Sequence, residues 1–265
     1  MCFPPGARPP DLPAGLRPVG GGADAEDVVL TSADGTAFRA HLATAAHGEH
    51  GVVIAPDARG LHAFYEELVE RFAAAGVHAM AFDYFGRTAG TARRPDDFAF
   101  REHVAQTTPE QIQADVAAAA AELRRRTAVQ RTYVLGFCMG GRVAFNAAAE
   151  QQDIAGVIGF YGVTCRRDEH DTAAPIDTVA RMRVPVLGLF GGGDSAIPAA
   201  DTQAFEQALA EHRLPHELVT YPNAPHSFFD RSFAEWREAC DDAWRRVLGF
   251  ISTGEPDSRG PGAVG

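Results

Sequence analysis

From Asp27 to Tyr221 the chain alternates short apolar runs with amphipathic stretches. The runs are Asp27–Thr31, Phe38–Leu42, Gly51–Ala55, Val77–Phe82, Thr132–Leu135, Ile154–Phe160, Val184–Phe190 and Glu217–Tyr221. The first two flank Asp34-Gly35 and predict an antiparallel hairpin. The later ones are continuously apolar, the pattern of strands buried on both faces of a parallel sheet. Between them, Phe64, Leu68 and Phe72 recur every four residues before Gly76, and Ile112, Val116 and Leu123 line one side of an Ala-rich stretch after Pro109. Phe233, Trp236, Cys240, Trp244 and Val247 give the last stretch a helical stripe. Strand followed by helix, repeated, predicts an α/β architecture: a mostly parallel, doubly wound sheet flanked by helices, with its ligand crevice at the carboxyl ends of the strands.

Two segments interrupt this rhythm. Pro95–Thr108, charged and aromatic, reads as a loop or short helix above the crevice, and Gly162–Pro175 reads as a polar insertion. Residues 1–24, rich in Pro, Gly and Ala, read as an extended surface arm, and 251–265 as a flexible tail, leaving 25–250 as one domain. A hydrophobic fraction of 46% suffices to give 265 residues one large core.

Charge and cysteine usage narrow the class of function. Thirty-five acidic against 24 basic residues, a net charge of −11, and no Lys/Arg stripe argue against a nucleic-acid partner. No stretch approaches the roughly 20 apolar residues of a membrane span, and a monomer or weak homodimer is expected. Cys2, Cys138, Cys165 and Cys240 are too scattered for a thiolate metal site. Neither metal nor cofactor is expected, and the default location is a reducing cytoplasm, where a catalytic thiol stays usable.

The sharpest local signal is Gly136-Phe137-Cys138-Met139-Gly140-Gly141, in which an apolar run enters Gly-x-Cys-x-Gly and a helix-compatible stretch from Arg142 to Glu150 follows. A tight strand-to-helix turn with glycines on both sides lifts the central side chain into the crevice. It also sets the thiol at a helix N-terminus, where the thiolate is favoured. Cys138 is therefore the candidate nucleophile, and the Met139 N–H one half of an oxyanion hole. The competing reading is a buried structural thiol with glycines that merely permit close packing.

A base and its orienting acid are expected downstream, each in a loop after a strand. The run Val184–Phe190 opens into Gly191-Gly192-Gly193-Asp194, and Glu217–Tyr221 opens into Pro222-Asn223-Ala224-Pro225-His226. His226 is the candidate base and Asp194 the group that fixes its tautomer. The alternatives are a turn aspartate and an ordinary loop histidine. The loop Pro56-Asp57-Ala58-Arg59-Gly60 would supply the second oxyanion N–H from Ala58, and Asp57 there would stand near the thiol and regulate it. Arg59, Arg87, Arg101 and Arg231 are candidate anchors for a substrate carboxylate. Phe137, Tyr161 and Phe228 are candidate pocket walls.

These motifs together resemble the dienelactone hydrolase family: Gly136–Gly141, Phe160-Tyr161-Gly162, Gly192-Gly193-Asp194 with Ile197-Pro198, and His226-Ser227-Phe228, across roughly Asp27 to Phe250. The resemblance implies an α/β-hydrolase fold and hydrolysis of an enol lactone through a thiol ester, without metal or cofactor. It carries the family's nucleophile, acid and base onto Cys138, Asp194 and His226. The chain departs from the family in two places. The regulatory loop carboxylate is Asp57 where well-known members have Glu, and the arginine after the histidine, Arg231, falls one position late. Two other functions remain open: an esterase or thioesterase of the same fold with a different small substrate, and a hydrolase-like module that binds without catalysis.

Overall fold

The computed structural model describes residues 6–16, 24–166, 174–231 and 234–256. Eight strands lie where the apolar runs predict them: β1 (Asp24–Thr31), β2 (Ala37–Thr44), β3 (His50–Ala55), β4 (His78–Phe82), β5 (Arg131–Phe137), β6 (Gly156–Phe160), β7 (Val186–Gly191) and β8 (His216–Tyr221). They form one sheet in the order β1-β2-β4-β3-β5-β6-β7-β8. β1 and β2 pair antiparallel, as does β2 with β4, and all the other pairs are parallel. The hairpin turns at Gly35, whose φ of 84° suits a residue without Cβ. In it the Thr36 N–H donates to the Asp34 carboxylate. β3, β4, β5, β6 and β7 are almost wholly buried, which is why their sequences are apolar throughout.

The helices in chain order are α1 (Ala63–Ala74), α2 (Gly86–Ala89), α3 (Phe100–Val104), α4 (Pro109–Thr127), α5 (Met139–Glu150), α6 (Pro175–Thr178), α7 (Ala199–Glu211) and α8 (Arg237–Thr253). α4 begins with a reciprocal cap in which Thr108 and Gln111 each bond the other's backbone N–H, and Pro109 occupies the first turn. Its buried face holds Ile112, Val116 and Leu123, the residues that the periodicity selects. Pro95–Thr108 forms the short α3 with flanking loops, and Phe98 packs on Phe85 just beyond β4.

Helix α8 reaches Thr253, within the stretch read as a tail, and its stripe of Cys240, Trp244 and Val247 is buried. Phe233, Cys2 and residues 167–173 of the polar insertion lie outside the described residues. The described part of the N-terminal arm is docked, with Pro9, Pro10 and Pro13 buried. The Trp244 indole N–H donates to the Pro10 carbonyl, and the Arg8 and Arg231 backbones are joined through Asp230 and a direct N–H to carbonyl bond. No helix among the described residues is long and apolar enough to cross a membrane.

Candidate active site

Strand β5 ends at Phe137 and α5 starts at Met139, so Cys138 alone makes the turn. Its φ of 55° and ψ of −114° lie in a sparsely populated region for a residue with a side chain. Such a conformation costs on the order of 1–3 kcal/mol and persists only where the surroundings enforce it. Two glycines supply the enforcement by letting backbones meet. A Cβ on Gly136 would come 1.8 Å from the Gly140 carbonyl oxygen, and one on Gly140 would come 2.0 Å from that of Ala55. The Cys138 N–H is held by the Phe160 carbonyl at 3.0 Å, which fastens the turn to β6. The thiol is half-buried at the helix N-terminus, and the Met139 N–H, first in the helix, has no intrahelical acceptor.

The other two triad candidates meet because two neighbouring strand ends open side by side. After β7, Gly191 lies so close to the loop after β8 that a Cβ there would be 2.3 Å from the Ala224 carbonyl oxygen. The Gly192 and Gly193 N–H groups donate to the carbonyls of Tyr221 and Ala224, zipping the two loops together. Across this seam Asp194 Oδ2 receives His226 Nδ1–H at 2.6 Å, while Oδ1 accepts the Ala196 N–H at 2.8 Å. Because a carboxylate only accepts, Nδ1 carries the proton and Nε2 is the basic nitrogen. Nε2 is buried and has no hydrogen-bond partner among the described residues. Burial pushes the Asp194 carboxyl up, but the bond and charge of His226 together with the Ala196 N–H outweigh it and hold the group below its ordinary value.

Asp57 is fully buried on the loop after β3. Its own N–H donates to the Tyr65 hydroxyl at 2.7 Å, and its Oδ1 accepts the Arg59 N–H at 2.8 Å. The preceding Pro56 carbonyl accepts from Tyr84 at 2.6 Å. Two buried phenols thus fix the loop that carries Asp57 and Ala58 against the elbow. Tyr161, at φ 37°, lies between the parts of the site, with its ring 4.9 Å from that of His226. Its phenol is pushed well up by burial, and then by the charges of Cys138 and Asp57, both within electrostatic reach.

The candidate pocket residues Phe137, Tyr161 and Phe228 are fully buried. Phe137 stacks on Phe160 at 4.6 Å, and Phe228 packs on Tyr161 at 5.7 Å. The arginines also fall in separate places. Arg231 turns to the arm and α1, 3.4 Å from Asp11 and 3.3 Å from Glu67. Arg87 is bound to Asp34 and Asp115. Arg101 is exposed on α3 with its guanidinium over Phe100. Arg59 is half-buried on the Asp57 loop. Tyr65 and His62, which both contact Asp57, belong to no motif of their own; the available signal was their place at the start of the helix that follows the loop.

The dienelactone hydrolase family model matches residues 38–254. A relative in Escherichia coli (strain K12), named "Putative carboxymethylenebutenolidase", is 28% identical over 205 residues, covering 74% of each chain. One of the same name in Synechocystis sp. is 30% identical over 210 residues, covering 76% of this chain and 85% of its own. The crystal structure of a "Putative Dienelactone Hydrolase" from Klebsiella pneumoniae subsp. pneumoniae superposes with a TM-score of 0.76 at 26% identity, covering 87% of this chain and 99% of that one. With the elbow, the acid loop and the histidine loop in the family's order on an α/β-hydrolase sheet, this chain belongs to the dienelactone hydrolase family.

Proposed function

We propose that the protein hydrolyses a small ester or enol lactone through a Cys138–His226–Asp194 triad and a thiol ester intermediate. The observation that carries this reading is the pairing of a strained, half-buried Cys138 at a helix N-terminus with a His226–Asp194 bond of 2.6 Å. The Cys138 sulfur, its proton passed to His226 Nε2, attacks the carbonyl carbon and forms the C–S bond. The carbonyl oxygen takes up the electron pair, and the N–H groups of Met139 and Ala58 stabilise it. Collapse breaks the C–O bond, and the leaving oxygen takes the proton from the His226 imidazolium, whose charge Asp194 steadies. Water then gives a proton to His226 and attacks the thiol ester. Cleavage of C–S releases the acid, and the proton returns to sulfur. Asp57 is the carboxylate that tempers the thiol, since a negative charge near sulfur disfavours the thiolate until substrate arrives.

A broader small-ester substrate range is the second reading, favoured by the engagement of Arg231 with Asp11 and Glu67. Initial rates on a cis-dienelactone and on a neutral aryl ester, for wild type and Cys138→Ser, test both readings. Loss of turnover in the variant is expected, and lactone preference supports the narrower activity. Turnover of only the neutral ester would leave the triad and remove the named substrate. Undiminished rates in Cys138→Ser would overturn the mechanism.

A further inference from the structure

His62 opens α1 in the N-cap position, where Ser, Thr, Asp or Asn usually accept a backbone N–H, yet its side chain makes no such bond. The ring instead turns towards the loop after β3. It sits edge-on to Tyr65 at 4.9 Å, the same tyrosine whose hydroxyl receives the Asp57 N–H. Its Nε2 lies 3.7 Å from Asp57 Oδ2, with the two side chains only 12% and 1% exposed. That nitrogen is buried and has no hydrogen-bond partner among the described residues. A buried ring nitrogen without a partner is destabilising, and an approach of less than about 1 Å to Oδ2 would satisfy it. His62 is thus placed to hold one oxygen of Asp57 while the Arg59 N–H holds the other.

We infer that His62 is a positioning residue for Asp57: it holds the carboxylate within the β3 loop and so sets how strongly that charge bears on the Cys138 thiol. The inference rests on the proposed role of Asp57 as the thiol-regulating group. Beside the pair stand Tyr65 on α1 and Arg59 on the Asp57 loop itself, and Tyr161 after β6 lies within electrostatic reach of both Asp57 and Cys138 at the elbow. Burial keeps both phenols protonated. When Nε2–H binds Oδ2, the carboxylate's negative charge is partly offset and the thiolate becomes easier to form. When that bond is lost, more of the carboxylate's charge bears on the thiol.

The test is the rate of Cys138 alkylation by iodoacetamide in the full-length protein, followed by peptide mapping from about pH 5.5 to about pH 9. Mapping separates Cys138 from the other cysteines. Cys240, pushed up to about 12 by burial, and Cys165, raised mainly by burial, react slowly. His62→Phe keeps a ring against Tyr65 but removes the N–H, and His62→Gln returns a donor near Nε2. Expected are alkylation about threefold slower near neutral pH with a more alkaline midpoint in His62→Phe, partial recovery in His62→Gln, and faster alkylation in Asp57→Asn. The Asp57→Asn/His62→Phe double variant should match Asp57→Asn alone, since removing the carboxylate removes the target of His62. A His62→Phe profile equal to wild type, beside a shifted Asp57→Asn profile, would overturn the His62 inference and leave the Asp57 reading intact. An unshifted Asp57→Asn profile would overturn both. A His62→Phe effect that persisted without Asp57 would also overturn the inference, because His62 would then act on the thiol directly.

Discussion

Two acid–imidazole pairs lie on loops that follow strands of the sheet, and they are built differently. His226 and Asp194 meet at 2.6 Å across a seam where two glycine-bearing loops are zipped by backbone hydrogen bonds. His62 and Asp57 stand 3.7 Å apart with the imidazole nitrogen unbonded, although Asp57 is the more deeply buried carboxylate. In the proposed mechanism the first pair fixes one tautomer, and its two loops are tied by backbone hydrogen bonds. The second depends on a side chain at a helix start, so small movements can change its strength. The pairs differ on the histidine's side: the His226 loop is zipped to the acid's loop, whereas the His62 side chain makes no capping bond.

Removing each histidine tests this contrast. His226→Ala should lower kcat for ester or lactone hydrolysis by about 10⁴-fold or more, since the base is lost, whereas His62→Phe should change kcat only a few-fold. Comparable losses from the two variants, measured by initial rates, would erase the distinction. Asp194→Asn should cost about 10³–10⁴-fold in kcat with little change in KM, because the histidine loses its orientation while substrate contacts stay.

Asp194 also gives a pH signature. Its carboxyl is held below the ordinary 3.8, so its contribution to stability is fully present above that value and is lost as pH falls through the depressed one. Thermal melts of wild type against Asp194→Asn should converge below about pH 3. A gap that instead widened with acid would contradict the charged, His-bonded state.

Gly136→Ala tests the elbow, since its Cβ would overlap the Gly140 carbonyl at 1.8 Å. A stability loss of about 3 kcal/mol or more is expected in denaturant unfolding. Arg231→Ala should have the smallest effect. Its ion pairs with Asp11 and Glu67 are part-exposed, so about 1 kcal/mol or less of stability is at stake. Hydrolysis should be unchanged for both a carboxylate-bearing lactone and a neutral ester. A selective rise in KM for the lactone would return Arg231 to the role of anchor.

The central strands were legible because a parallel sheet covered on both faces demands mostly apolar residues, and the first two were legible from the hairpin around Asp34-Gly35. The elbow was legible because its turn admits only glycine at Gly136 and Gly140. Asp194 and His226 could be picked out as candidates from their place after strands, and the structure brings them to 2.6 Å. The walls and anchors were not legible in the same way. An aromatic residue beside a catalytic motif looks the same in sequence whether it faces solvent or the core, and Phe137, Tyr161 and Phe228 all face the core. Arg231 is drawn away by Asp11, which lies 220 positions earlier in the chain, and a pairing over that distance leaves no periodic trace.

The sequence by itself determined the architecture and the order of the nucleophile, acid and histidine, because backbone geometry restricts which residues can stand at strand interiors and at a tight turn. The tertiary structure decided which side chains meet: His226 with Asp194, His62 with Asp57, and Arg231 with the N-terminal arm. Those contacts depend on strands brought side by side and on helix faces turned towards particular loops, and they are set by the packing of the whole chain.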